Sequence, residues 1–397
     1  MSMIHRPNFG WKMAAVWFLL AGFQSSNPVS AAGHVLQEVR EGRDFQGKIE
    51  RATHDRHGVA WIATFHQLFR LDGKSATLVD SSGSKDRRLA IAPGGERYAW
   101  MDNRRAAFGQ FSIELMDLSS PGTQIADLKP AVSPFGYHSL QFSRESKQLV
   151  GATAASDQEG LTGDFRYLFW SANGQPTGSV TLEGRRIGIP DEQGDSIVFL
   201  GESNAAAFRM DGIPLWTVKG KYLKGTLANA GNTALLSPAS EVEAVHVVQS
   251  GALASASIRM LAPVHELAMT PDGSLGAVAT RAGRISIVDL QSCTTGSCAV
   301  RQLPQLPILS THYITAIRFI SRDAVVIGVI QATGRGRDKR FYGGAVLVLK
   351  TTGELVYQRS MGFRELTTWS PKIDVAFGNP VFAAYTPNTA IFVRLDN

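Results

Sequence analysis

The stretch HELAMTPDGSLGAVATRAGRISIVDLQS, residues 265–292, contains three short apolar runs separated by two tight turns. Leu267 and Met269 alternate with polar neighbours, Pro271, Asp272 and Gly273 turn the chain, and residues 275–280 run almost wholly apolar. Ala282 and Gly283 turn it again, and Ile285, Ile287 and Leu290 lead to a further polar turn. Short runs of this kind, bounded by Pro, Asp and Gly, read as three consecutive antiparallel strands of one repeating unit.

The polar turn that ends the third strand recurs along the chain. It falls near Asp72, Asp117, Asn173, Asp211, Gln249, Asp289, Thr351 and Asp396. Most intervals lie near the roughly 40–45 residues of a four-stranded propeller blade. The two long intervals mark insertions, one at residues 156–164 and one at residues 334–340. The second strands, such as residues 59–65 (VAWIATF), 196–201 (SIVFLG) and 324–330 (AVVIGVI), are apolar on both faces, as strands sandwiched between neighbouring blades require. A fourth strand follows most of these turns, at residues 76–79, 215–218 and 355–357 for example, but none follows Asp396. The spare extended segment at residues 34–39 (HVLQEV) is placed to supply it and close the ring. The fold class expected is therefore all-β, a single propeller domain over residues 33–397. Eight blades is the favoured count and seven the alternative.

Residues 265–292 resemble the β-propeller repeats of bacterial YVTN and WD40-like proteins. Residues 210–218 (MDGIPLWTV) and 350–358 (KTTGELVYQ) resemble quinoprotein-type repeats, with Trp216 keeping the terminal tryptophan and Tyr357 replacing it. The resemblance covers most of the chain and implies blade geometry. It assigns no chemistry to particular residues.

The first 32 residues read as a secretory signal. Arg6 and Lys12 supply its positive region, residues 13–23 (MAAVWFLLAGF) its apolar core, and Ser30, Ala31 and Ala32 a small-residue cleavage site. Eleven apolar residues fall short of the roughly 20 that span a bilayer, so no transmembrane anchor is expected in the mature chain. The destination is periplasmic or secreted. The formal net charge is +6, and removal of the signal takes two cations and no anion, leaving a mildly basic chain. Neither that balance nor an exported location suits nucleic acid. Cys293 and Cys298 are the only two cysteines, and in an oxidising compartment they are expected to form a disulfide.

No nucleophile elbow, zinc-protease helix, phosphate loop or haem-attachment motif is present. Residues 334–340 (GRGRDKR), with Arg335, Arg337, Lys339 and Arg340, gather four cations beside Phe341 and Tyr342. Arginines next to aromatics suit a contact surface for an acidic partner. His54, Asp55, His57 and His66 form the densest group of candidate metal ligands. With no turn residue between them, His54 and His57 point to opposite faces, so they read as strand-end residues at the rim and no metal site is assigned. Asp157, Glu159 and Asp164 match no calcium loop, and Gly160 and Gly163 suit a long turn. Trp61, Trp100, Trp170, Trp216 and Trp369 read as interblade packing.

These readings lead to an exported, non-catalytic binding or scaffold module for protein partners, recognising them through loops on a rigid ring. The alternative is an enzyme or enzyme subunit, a hydrolase, lyase or quinoprotein-like oxidoreductase, holding a small molecule in the central channel. His138, His265, Glu266 and Arg318, each near a blade entry, are its candidate residues. The sequence specifies no cofactor.

Overall fold

The computed structural model describes residues 33–395 apart from 56, 65, 74, 82–86, 93–96, 103–111, 119, 121, 129–136, 144–147, 158–159, 184–186, 192–194, 250–251, 295, 334–339, 362–370, 376–377 and 379. Residues 1–32, the expected secretory signal, and Trp369 therefore lie outside the described residues.

The chain forms eight four-stranded antiparallel sheets. Seven are built from consecutive strands, at residues 49–81, 87–128, 137–182, 187–219, 222–259, 264–302 and 313–360, and are numbered blades 1 to 7. Blade 8 takes three strands from residues 372–395 and its outermost strand from Gly33–Arg40. That strand pairs antiparallel with Thr389–Leu395, Gly33 opposite Leu395 and Arg40 opposite Thr389. Residues 34–39 thus close an eight-bladed ring, and the seven-bladed alternative is excluded.

The reason lies in the two-residue period of a strand. Successive side chains point to opposite faces, so a strand between two blades serves both. In the second strand of blade 4, Ile197 and Phe199 pack toward blade 3 and Val198 and Leu200 toward blade 5. In the second strand of blade 7, Val325, Ile327 and Val329 join a cluster with blade 6, and Val326 one with blade 8. The buried apolar residues fall into eight clusters, each shared by two neighbouring blades. Tryptophans sit in these seams: Trp61 and Trp100 between blades 1 and 2, Trp170 between 2 and 3, and Trp216 between 4 and 5.

Both expected insertions are lengthened central hairpins. In blade 3 the second and third strands are Gln148–Asp157 and Gly160–Ser171, and in blade 7 they are Ala324–Thr333 and Arg340–Lys350. Gly160, Gly163 and Asp164 therefore lie within a strand, Gly160 opposite Asp157, where a long turn was expected. Glu159 and the Asp157 side chain are outside the described residues.

A five-residue helix, Pro307–Thr311, lies in the connection from blade 6 to blade 7 and seats Leu309 in the seam between them. Gly283 is fitted to it. Its φ is +70°, and a Cβ there would stand 2.0 Å from the Leu309 carbonyl oxygen. Gly283→Ala meets strain and collision together, and is expected to cost about 2 kcal/mol or more, lowering the melting temperature by several degrees in a thermal melt. Cys293 and Cys298 form the expected disulfide, across the hairpin of the third and fourth strands of blade 6, where Thr294 faces Ser297. Closing so short a loop is worth about 2 kcal/mol. Replacing both cysteines by serine is expected to lower the melting temperature by about 2–4 °C and to leave the β-type circular dichroism unchanged.

Candidate functional site

Chain direction alternates through each blade. The turns between second and third strands therefore emerge on the same face as the blade-to-blade connections, and the other turns emerge on the opposite face. Both lengthened hairpins rise on the connection face. Their strands have 10–12 residues, where the corresponding strands of blade 4 have 5 and 6. At about 3.3 Å per residue the extra length is roughly 15 Å. Blades 3 and 7 are four apart in a ring of eight, so the hairpins stand on opposite sides of the channel mouth. The basic insertion belongs to the blade 7 hairpin. Arg340 opposes Thr333, Phe341 opposes Ala332 and Tyr342 opposes Gln331. Arg335, Arg337, Lys339 and the side chains of Arg340, Phe341 and Tyr342 lie outside the described residues.

The channel is bordered by the first strand of every blade. In blades 1, 3, 5, 6 and 7 this strand bulges near its start, at Glu50, His138, Leu223, His265 and Thr315. Such bulges re-aim side chains at the rims of closed sheets. His138 and His265 thus hold equivalent positions in blades 3 and 6, although the His138 side chain lies outside the described residues. Glu266 accepts from Lys224 Nζ at 2.8 Å, an ion pair from the first strand of blade 5 to that of blade 6. Arg318 Nη1 donates to the Ile317 carbonyl at 2.8 Å.

A second group is scattered too widely in sequence to be read there. Arg51 of blade 1 pairs with Asp374 of blade 8 at 3.0 Å, and Asp374 holds the guanidinium above its ordinary value. Lys372 Nζ lies 6.0 Å from the ring of Tyr385. Burial first, then Asp374, pushes the Tyr385 phenol well up. It is a proton donor and not a base at neutral pH. Among the described residues no group of three or more His, Cys, Asp or Glu is placed to hold a metal ion. On the opposite face a cavity of about 300 Å³ lies between blades 3, 4 and 5, lined by Ser143, Gln148, Asp195 and the ion-paired Arg209 and Asp211.

At the end of the first strand of blade 1, His54 and Asp55 are buried, whereas His57 is exposed as a rim residue should be. A turn does intervene: Asp55 accepts from the His57 and Val59 amides at 2.8 and 3.0 Å and from Trp61 Nε1 at 2.9 Å. The carboxylate itself builds this turn, which stood unseen because no Gly or Pro separates His54 from His57. His54 is buried edge-on against Phe392 at 4.8 Å, its Nδ1 without a hydrogen-bond partner. Burial lowers its pKa from 6.5 to about 4. The unfolded chain takes up this proton near pH 6.5 and the folded chain only near 4, so the contribution to stability is complete above 6.5. It is lost as pH falls between the two, by roughly 3 kcal/mol in all. His54→Gln is expected to flatten the decline of melting temperature between pH 7 and pH 4, measured against wild type in the same buffers.

No protein-family model matches the chain, and no curated protein matches it. Among solved structures it is similar to the β-propeller domain of Cps50 (Swd1) from Myceliophteria thermophila, at 11% identity and TM-score 0.51, covering 84% of this chain and 97% of that one. It is also similar to the computationally designed Ika8 protein, at 13% identity and TM-score 0.59, covering 91% and 99%. BamB from Moraxella catarrhalis matches at 11% identity and TM-score 0.55, again over 91% and 99%. At such identities the likeness is one of fold, and the fold is a β-propeller.

Proposed function

We infer that this protein is an exported, non-catalytic propeller that holds a protein partner on its connection face. The observation that carries the reading is the pair of lengthened hairpins of blades 3 and 7, raised on one face and on opposite sides of the ring. The second strands of the other blades have only five or six residues. Extra length in two hairpins adds to the area that face offers. The sequence between the blade 7 strands supplies Arg335, Arg337, Lys339 and Arg340 with Phe341 and Tyr342 following, a composition suited to an acidic protein surface.

Two features support export. The first 32 residues have the charge, apolar core and small residues of a secretory signal, and their removal would leave the ring-closing strand Gly33–Arg40 whole. The disulfide between Cys293 and Cys298 suits an oxidising compartment. Among the described residues no helix is long and apolar enough to cross a membrane.

Native mass spectrometry of protein purified gently from its own producing cells tests the reading. The expected result is a heavier species containing a second, different polypeptide, which disappears when residues 334–340 are replaced by a short Gly-Ser turn. Capture unchanged by that replacement would overturn the assigned surface. A small-molecule mass excess with no second polypeptide would move the function to the channel.

A further inference from the structure

The first strands of blades 8, 1 and 2 place three cations at one level of the channel wall. Lys372, Arg51 and Arg88 each stand three residues before the end of their strand, opposite Tyr385, Ala63 and Met101. Thr64 and Thr386, which follow Ala63 and Tyr385, cap matching turns, each hydroxyl donating to the carbonyl three residues on. Arg51 and Lys372 are therefore equivalent in register. First strands begin at the connection face, so these positions lie toward that mouth of the channel. Across the channel, on blades 5 and 6, Lys224 and Glu266 neutralise each other. The Arg88 side chain lies outside the described residues, and only its place in the strand is used.

Three side chains in this sector have donors to spare. Tyr385 is only 7% exposed, yet its hydroxyl has no hydrogen-bond partner among the described residues. Asp374, Arg51, Glu50 and Arg318 all act electrostatically on that phenol, which places it in their midst. Lys372 is exposed, with its Nζ 6.0 Å from the Tyr385 ring centre and no ion pair to a described residue. Arg51 commits Nε and Nη2 to one oxygen of Asp374, at 3.1 and 3.0 Å, which leaves Nη1 to donate elsewhere. Lys372, Arg51 and Arg318 face two carboxylates, Asp374 and Glu50, so the cations are in excess by one charge. A phenol, an ammonium and a guanidinium edge around one excess charge match a carboxylate, an acceptor with two oxygens and a single charge. A phosphate dianion would set a second negative charge against Asp374 and Glu50. We propose that Tyr385, Lys372 and Arg51 form a site for one carboxylate group near the connection-face mouth of the channel, supplied by an acidic side chain of a docked protein or by a free small acid. It goes beyond the docking inferred above, since neither lengthened hairpin contributes to it.

Thermal melts of the full chain without its first 32 residues test it, because the rise of melting temperature with probe concentration yields the dissociation constant. The probes, exchanged against chloride at constant ionic strength, are acetate, inorganic phosphate and an acetylated, amidated Gly-Gly-Glu-Gly-Gly peptide whose one charge is a carboxylate. Acetate and the peptide are expected to bind wild type with dissociation constants of roughly 1 mM, and phosphate more weakly. Tyr385→Phe removes one hydroxyl and Lys372→Gln one charge, and each is expected to weaken carboxylate binding by about 10-fold. Without probe both variants should keep the wild-type melting temperature, since the hydroxyl has no partner to lose and Lys372 is exposed. Replacing residues 334–340 should leave the titrations unchanged, which separates this site from the hairpin surface. Binding of acetate without the peptide keeps the site and assigns it to a free small acid. Phosphate binding as tight as acetate, no carboxylate binding up to tens of millimolar, or binding unaffected by both substitutions would each overturn the proposal.

Discussion

Apolar burial between blades, and not within them, is the interaction on which this protein depends. A four-stranded sheet one residue thick has no interior, so each blade finds its core only against its neighbours. The eight clusters shared by blade pairs are that core divided around a circle. Burial at two faces also explains the composition of the second strands, since an exposed face would have called for alternation with polar residues. Among the described residues, polar groups that enter the seams commonly find partners. Asp80 accepts from the Tyr98 hydroxyl at 2.6 Å and from Trp100 Nε1 at 2.8 Å, and Trp216 Nε1 donates to the Gly231 carbonyl at 2.7 Å. The unpartnered Nδ1 of His54 departs from this rule.

The rigidity that follows is what lets loops specialise. Because each seam fixes the angle between two blades, a hairpin lengthened in blade 3 or blade 7 changes one face without changing the ring. The innermost strands show the same economy. Lys224 with Glu266, and Arg51 with Asp374, cross from one first strand to the next and neutralise charge at the channel wall. A channel lined in this way has polarity but little net field at those points.

The fold was legible because its signals are local and repeated. Runs such as residues 196–201 and 275–280, the recurring polar turns and the spare segment at residues 34–39 each carry blade geometry in a few adjacent residues. The two cysteines, five apart, were equally local. The site was not legible for the same reason inverted. Arg51 and Asp374 are 323 residues apart and meet only when the ring closes. The bulges at Glu50, Leu223 and His265 add one residue to a strand and leave no compositional mark. Gly160 and Gly163 looked like turn residues because glycine usually is one, and only pairing with the second strand places Gly160 in a ladder. Asp55 was weighed as a ligand because a carboxylate that caps a turn has the same letter as one that binds a metal.

Closure through Gly33–Arg40 and Thr389–Leu395 also orders events in time. The outermost strand of blade 8 is made before the other seven blades and the strand it pairs with after them, so this seam waits for nearly the whole ring. Contacts of such long range form slowly, since the loop they close must be gathered before they reward it. Until then one edge of the incomplete ring stays open at each end. The finished molecule therefore acts as its own check on length: a chain that stops short of residue 389 leaves Gly33–Arg40 without its partner and the last apolar seam facing water.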